Sequence, residues 1–184
     1  LTNGKTMTYR IIGINHDDLA DGSGKAGLTF MTIYGGTFGR HCMNTSGATD
    51  GGWEKSELRA KMNTGEIWNQ MPLDFQSKVQ TVAKLTNNTE GQEQNSSVTQ
   101  TNDKLFLLSS TEFWGDIDSD GAQYDLYKEE GYTSSSDNRK YIPTTIWTRS
   151  LVGKYGFRCT STRGNSNWLV PSGTVNEVCP AFCF

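Results

Sequence analysis

The chain closes on Val178-Cys179-Pro180-Ala181-Phe182-Cys183-Phe184, an apolar run with no polar tail behind it. A run of that kind avoids water, so it predicts an interior strand at the C-terminus. Its expected partner lies at the other end, where Thr8 to Asn15 is rich in β-branched and aromatic residues and stops at Asp17-Asp18 and Asp21-Gly22-Ser23-Gly24. A sheet built from both ends obliges the intervening chain to pack on it.

The intervening chain is short of ordinary core residues. Hydrophobic residues make up 34% of 184, yet there are 5 Trp, 8 Phe and 7 Tyr, so burial must be led by aromatic side chains. That length supports a single domain over residues 1–184. The chain begins at Leu1 without Met, basic n-region or apolar h-region, which suggests a processed product or the C-terminal part of a longer protein. A net charge of -3 argues against a nucleic-acid partner, whose phosphates call for a basic face. No apolar run approaches the roughly 18 residues of a membrane span, so membrane insertion is not expected. The oligomeric state cannot be read from these features.

Between the ends, Leu28 to Tyr34 reads as a second strand, joined to the first as an antiparallel hairpin. Lys55 to Asn63 is rich in helix formers, with Leu58 and Met62 one turn apart. From Asp74 to Leu85 the residues Phe75, Val79, Val82 and Leu85 recur at spacings of three and four, which predicts an amphipathic helix begun by Pro72. Thr86 to Asp103 is polar and aperiodic and reads as an exposed loop. Leu105 to Leu108 fits a buried strand, Ser109-Ser110-Thr111-Glu112 a helix N-cap, Gly115 to Lys140 a long polar insert, and Thr145 to Phe184 a meander of short strands. The sum is an α+β fold with antiparallel sheet, two helices and long loops.

Chemistry is thinly marked. Asp116-Ile117-Asp118-Ser119-Asp120-Gly121 reproduces the opening of a calcium loop, so Asp116, Asp118 and Asp120 are candidate ligands; the twelfth position is Tyr127, where a bidentate Glu belongs, and an ordinary acidic turn is the competing account. His16 and His41 stand in no catalytic motif, and the pair Asp17-Asp18 reads as a solvated loop cluster. Cys42, Cys159, Cys179 and Cys183 show no CxxC spacing, and their redox state stays open. Trp53, Arg59, Trp147 and Arg149 read as scaffold, with an anion clamp at Arg149 as the weaker alternative. No catalytic residue stands out, and no enzyme is expected.

Gly52-Trp53-Glu54-Lys55-Ser56-Glu57-Leu58-Arg59, Phe106-Leu107-Leu108-Ser109-Ser110-Thr111-Glu112, Trp147-Thr148-Arg149-Ser150 and the terminal Val178 to Phe184 occur in an order that resembles the DUF6273 domains of gut bacteria and their phages. These are similar to C-type-lectin-fold and formylglycine-generating-enzyme-like domains. One departure is visible: Glu177 and Cys179 stand where the family ending usually carries Gly and Arg. The resemblance implies a fold whose first and last strands pair, with two flanking helices and loops gathered on one side. It also implies kinship with the variable proteins of diversity-generating retroelements, which display a diversified C-terminal ligand-binding surface.

The sequence offers such a surface. Lys154 to Trp168 concentrates Tyr, Trp, Arg, Asn, Ser and Gly, the residue types of paratopes. Tyr155, Arg158, Arg163, Asn165, Asn167 and Trp168 are therefore the expected ligand-binding residues, with Trp147, Phe157 and Phe182 turned into the core. The expected partner is a protein or glycan on a target cell, and the expected location a virion or a bacterial surface. The alternatives are a relic of a formylglycine-generating-type oxidase and a structural tail-fibre or adhesin domain. Gly156-Phe157-Arg158-Cys159 resembles the stretch near the catalytic cysteine of those oxidases, but the second active-site cysteine is missing.

Overall fold

The computed structural model describes residues 1–33, 35–87, 98–115, 120–135, 140, 144–152, 156–160 and 168–184. Strands β1 (Tyr9–Ile14) and β2 (Leu28–Thr32) form the expected antiparallel hairpin, with a bulge between Ile11 and Gly13. A Cβ at Gly13 would come within 2.8 Å of the Tyr124 ring, so only glycine lets the strand pass that close.

The terminal strand Ala181–Cys183 pairs with β2, opposite Met31, Phe30 and Thr29, and not with Thr8 to Asn15; both termini share one sheet, with β2 between them. The reason lies in which strand tolerates an edge. Tyr9, Ile11 and Ile14 are 44 to 62% exposed on β1, whereas Ala181, Phe182 and Cys183 are at 0%. The terminal strand is covered on its other side as well, by bridges from Phe106 to Ala181 and from Gln80 to Cys183. It is interior, as its composition demanded.

A short strand β3 (Arg40–His41) leads to α1 (Gly52–Lys55) and α2 (Glu57–Asn63). Ser56 divides the two helices, and its hydroxyl accepts the Arg59 amide as an N-cap. Leu58 and Met62 are buried on the predicted face.

The expected helix from Asp74 to Leu85 is not there. A single turn, α3 (Leu73–Gln76), follows Pro72, and Val82–Asn87 is strand β4, paired antiparallel with β5 (Val98–Asp103). Of the expected loop from Thr86 to Asp103, residues 86–87 and 98–103 belong to this ribbon, and 88–97 lie outside the described residues. The inward residues of β4 are Val82, Lys84 and Thr86, buried at period two, while Ala83 and Leu85 are less covered. Two of the three buried positions are polar, so the apolar spacing of three and four misreported the buried face.

Phe106 makes a reciprocal backbone pair with Ala181, and Leu105 to Leu108 are all buried, so this segment does a strand's work as a single bridge. Helix α4 (Ser110–Trp114) has the expected cap in full: the Ser109 hydroxyl accepts the Glu112 amide, and the Glu112 carboxylate accepts the Ser109 amide. The polar insert holds a helix, α5 (Asp125–Glu129), with Tyr127 buried within it and Tyr124 and Tyr132 buried on either side.

The C-terminal meander is β6 (Trp147–Val152), β7 (Gly156–Cys159) and β8 (Trp168–Pro171) in that spatial order, followed by β9 (Asn176–Glu177) against β3 and by β10 (Ala181–Cys183). A Cβ at Gly156 would lie 2.1 Å from the Val170 carbonyl oxygen, so the strands approach too closely there for any side chain. The architecture is α+β with antiparallel sheets. Its fully buried large side chains are mostly aromatic and include Trp53, Trp114, Trp147, Phe106, Phe113, Phe157 and Phe182. Among the described residues no helix is long and apolar enough to cross a membrane.

Candidate functional site

The interior carries a chain of ions. Glu112, fixed by its capping box, accepts both guanidinium nitrogens of Arg149 on β6, at 2.5 Å to Oε2 and 2.9 Å to Oε1. Arg149 also donates to the carbonyls of Leu107 (2.7 Å) and Leu85 (2.9 Å), which ties β6 to the two segments beside it. Lys84 on β4 touches Glu112 Oε1 at 2.5 Å and Asp17 Oδ1 at 2.5 Å, and its ammonium lies 4.3 Å from the centre of the Phe106 ring. Asp17 takes two hydroxyls besides, from Thr29 (2.5 Å to Oδ2) and from Tyr124, 2.9 Å from either oxygen.

Burial opposes the charges of Asp17, Glu112 and Arg149, and pairing outweighs it. The Lys84 ammonium and the Thr29 hydroxyl hold the Asp17 carboxyl far below the usual range. Arg149 and Lys84 hold Glu112 low, and Glu112 in turn raises Arg149. Tyr124 is pushed well up, first by burial and then by the carboxylates of Glu112 and Asp17, so it remains a hydrogen-bond donor.

Above this network opens a pocket of about 290 Å³ bounded by His16, Asp18, Lys25, Ala83, Leu85 and Ala122, with Asp17, Lys84 and Glu112 beneath. The His16 ring stacks on Tyr124 at 4.0 Å, and an Asp18–Lys25 ion pair of 2.8 Å spans the rim. Asp17 was expected to be a solvated loop residue; at 3% exposure it is the acidic end of a buried network. Lys84 carried no signal at all, because a lone lysine in a polar stretch looks like surface until its strand is known.

The polar residues of the segments that carry the resemblance are tied into the fold. The Trp53 indole donates to Asp103 Oδ2 at 3.0 Å, and Arg59 pairs with Asp103 Oδ1 at 2.6 Å. The Trp147 indole donates to the His41 carbonyl at 2.7 Å, and the Ser150 hydroxyl donates to Asp120 and accepts the Ser110 amide. Arg149 is clamped by its own fold and offers no free anion site.

The expected ligand-binding set is only partly placed. Tyr155, Arg163, Asn165 and Asn167 lie outside the described residues, Arg158 sits half-buried on β7 opposite Leu169, and Trp168 opens β8 opposite Cys159. Trp147, Phe157 and Phe182 are buried as expected. Of the calcium half-motif, Asp116 and Asp118 lie outside the described residues. Asp120 is wholly buried, with one oxygen accepting from Thr111 (2.9 Å) and the other from Ser150 (2.7 Å). Among the described residues no cluster of His, Cys, Asp or Glu is arranged to hold a metal.

All four cysteines are free. Cys159 is buried beneath the meander, and burial pushes its thiol well up, against the thiolate an oxidase would need. Cys179 is pushed up to about 12 for the same reason.

A family model described as a domain of unknown function, DUF6273, matches residues 31–184. No curated protein and no solved structure matches the chain.

Proposed function

Since the chain belongs to the DUF6273 family, and since the polar residues of the segments that carry the resemblance are engaged within the fold, we propose that it is a binding module and not an enzyme. It recognises a protein or glycan on a target surface through the connections β6–β7 and β7–β8, and it is displayed on a phage particle or a bacterial surface. In this proposal the fold is C-type-lectin-like, and the connecting segments are the counterpart of the diversified surface of variable proteins.

What supports the proposal is the platform. Trp147, Phe157 and Cys159 root β6 and β7 in the core, and the chain between β7 and β8 carries Ser161-Thr162-Arg163-Gly164-Asn165-Ser166-Asn167. Adaptable polar residues on a rigid base are the arrangement on which recognition loops are built.

A displayed library randomised at Tyr155, Arg158, Arg163, Asn165, Asn167 and Trp168 tests this. Most members should keep the parent's melting temperature, while binding on a glycan array and a panel of bacterial surface proteins changes from member to member. If most members fail to fold, or if all folded members bind as the parent does, the hairpins are scaffold. A near-copy of the C-terminal coding segment, differing at template adenines beside a reverse transcriptase gene, would establish diversification independently.

A further inference from the structure

We propose that Lys84 and Asp17 join covalently in the folded protein, with Lys84 Nζ forming an amide to Asp17 Cγ and one water leaving. The binding proposal does not enter this inference, which rests on the contents of the ion network. Lys84 Nζ is 2.5 Å from Asp17 Oδ1 and 2.5 Å from Glu112 Oε1, and the side chains of all three are 2 to 3% exposed. A nucleophile, an electrophile and a proton carrier are thus in contact at one buried spot on the floor of the pocket. In water an ammonium and a carboxylate stay ionic, because hydration stabilises both charges. Desolvation narrows the gap to the neutral amine and acid, and fixed contact replaces a chance encounter by an effective concentration on the order of 10⁵ M or more.

Each step can be assigned to an atom. Lys84 passes one proton to Asp17 Oδ1, giving amine and acid. The amine lone pair attacks Cγ, and the carbonyl π pair moves onto Oδ2, where the hydroxyls of Thr29 (2.5 Å) and Tyr124 (2.9 Å) stabilise the developing charge. Glu112 then takes a proton from the former ammonium nitrogen. The Oδ2 pair returns to re-form the carbonyl, the Cγ–Oδ1 bond breaks, and Glu112 gives its proton to the departing hydroxyl. The products are an amide and one water, with Glu112 again a carboxylate, so no oxidant or cofactor is consumed.

The surroundings sort the two carboxylates into their roles. Glu112 is held on both oxygens by the Arg149 guanidinium and on Oε2 by the Ser109 amide, which fixes it beside Lys84 as the group that relays the proton. Asp17 has hydroxyl donors in place of a second cation. The pocket above, lined by Asp17, Lys84 and Glu112, gives the released water a way out.

Intact-mass measurement of the purified full chain is the test. The expected mass is that of the sequence less one water. Trypsin should then fail to cut after Lys84, leaving the Asp17 peptide Ile11–Lys25 joined to Val79–Lys104. Lys84→Arg, which keeps the positive charge, should restore the full mass, and Glu112→Gln should leave most of the chain unjoined. Full sequence mass in the unaltered protein overturns the proposal. So does a lost water that survives in Lys84→Arg and maps to a cyclic imide at Asp21-Gly22, Asp50-Gly51 or Asp120-Gly121, and so does a linkage from Lys84 to Glu112. The unaltered protein decides the matter by itself should a variant not fold.

Discussion

Replacing Arg149 by Met removes the cation that β6 inserts between Glu112 and the carbonyls around it, while keeping much of the side-chain volume. Among the described residues Lys84 is then the one close cation left to Glu112, shared with Asp17 in the unjoined chain. Breaking a buried ion pair from one side costs about 3–5 kcal/mol. The Leu107 and Leu85 carbonyls also lose a donor, and each buried polar group left short adds about 1 kcal/mol. The sum, about 5–7 kcal/mol, is much of the roughly 5–15 kcal/mol available to an ordinary domain. At about 2–4 °C per kcal/mol for a chain of this size, the melting temperature should fall by about 10–28 °C. Urea unfolding followed by tryptophan fluorescence measures it directly, since Trp53, Trp114 and Trp147 are all buried. Adding Glu112→Leu to Arg149→Met should recover part of the loss, because an apolar pair leaves less charge stranded. A loss below about 1 kcal/mol, the scale of an exposed pair, would refute the idea that this network holds the sheets together.

Acid should destabilise the protein through the same groups. Glu112 is held below its unfolded value, and so is Asp17 wherever it is not joined to Lys84, so the unfolded chain binds more protons; stability is fully present above about pH 5 and is lost as pH falls toward the folded values. Urea midpoints measured between neutral and acid pH should show that decline, and a flat profile would contradict it. Deleting Cys183 and Phe184 removes a buried thiol, the Phe184 contacts with Phe30 and Phe75, and the paired backbone bonds between Phe184 and Leu28; the expected cost is about 3–5 kcal/mol, and an unchanged melting temperature would count against it. Calcium at millimolar concentration should leave the melting temperature unmoved, since Asp120 already serves two hydroxyls; a rise that disappears in Asp118→Ala would show a site.

The strands at both ends, the Ser109 capping box, the short helix after Ser56 and the aromatic core were legible because each is specified by a local pattern. The β4–β5 ribbon was not, because its inward face is Val82, Lys84 and Thr86, and two of these are polar. Pattern reading treats a buried polar residue as solvent-facing, since the partner that makes burial tolerable is far away in sequence. Asp17 was misread for the same reason: its neighbours Lys84 and Tyr124 are 67 and 107 residues distant. The placement of β10 beside β2 was missed because composition shows that a strand is interior without showing which neighbour it takes.

The match to DUF6273 opens at Met31, inside β2, so the family's boundary and the folding unit do not coincide. A protein expressed from Met31 onward would keep only a stub of the central strand of its first sheet, offering the β10 backbone to any extended chain nearby. It would also strand Lys84 without Asp17. Residues 1–30 are thus an integral part of the folding unit, and laboratory work on relatives trimmed to the matched span should expect insoluble material unless the upstream hairpin is restored.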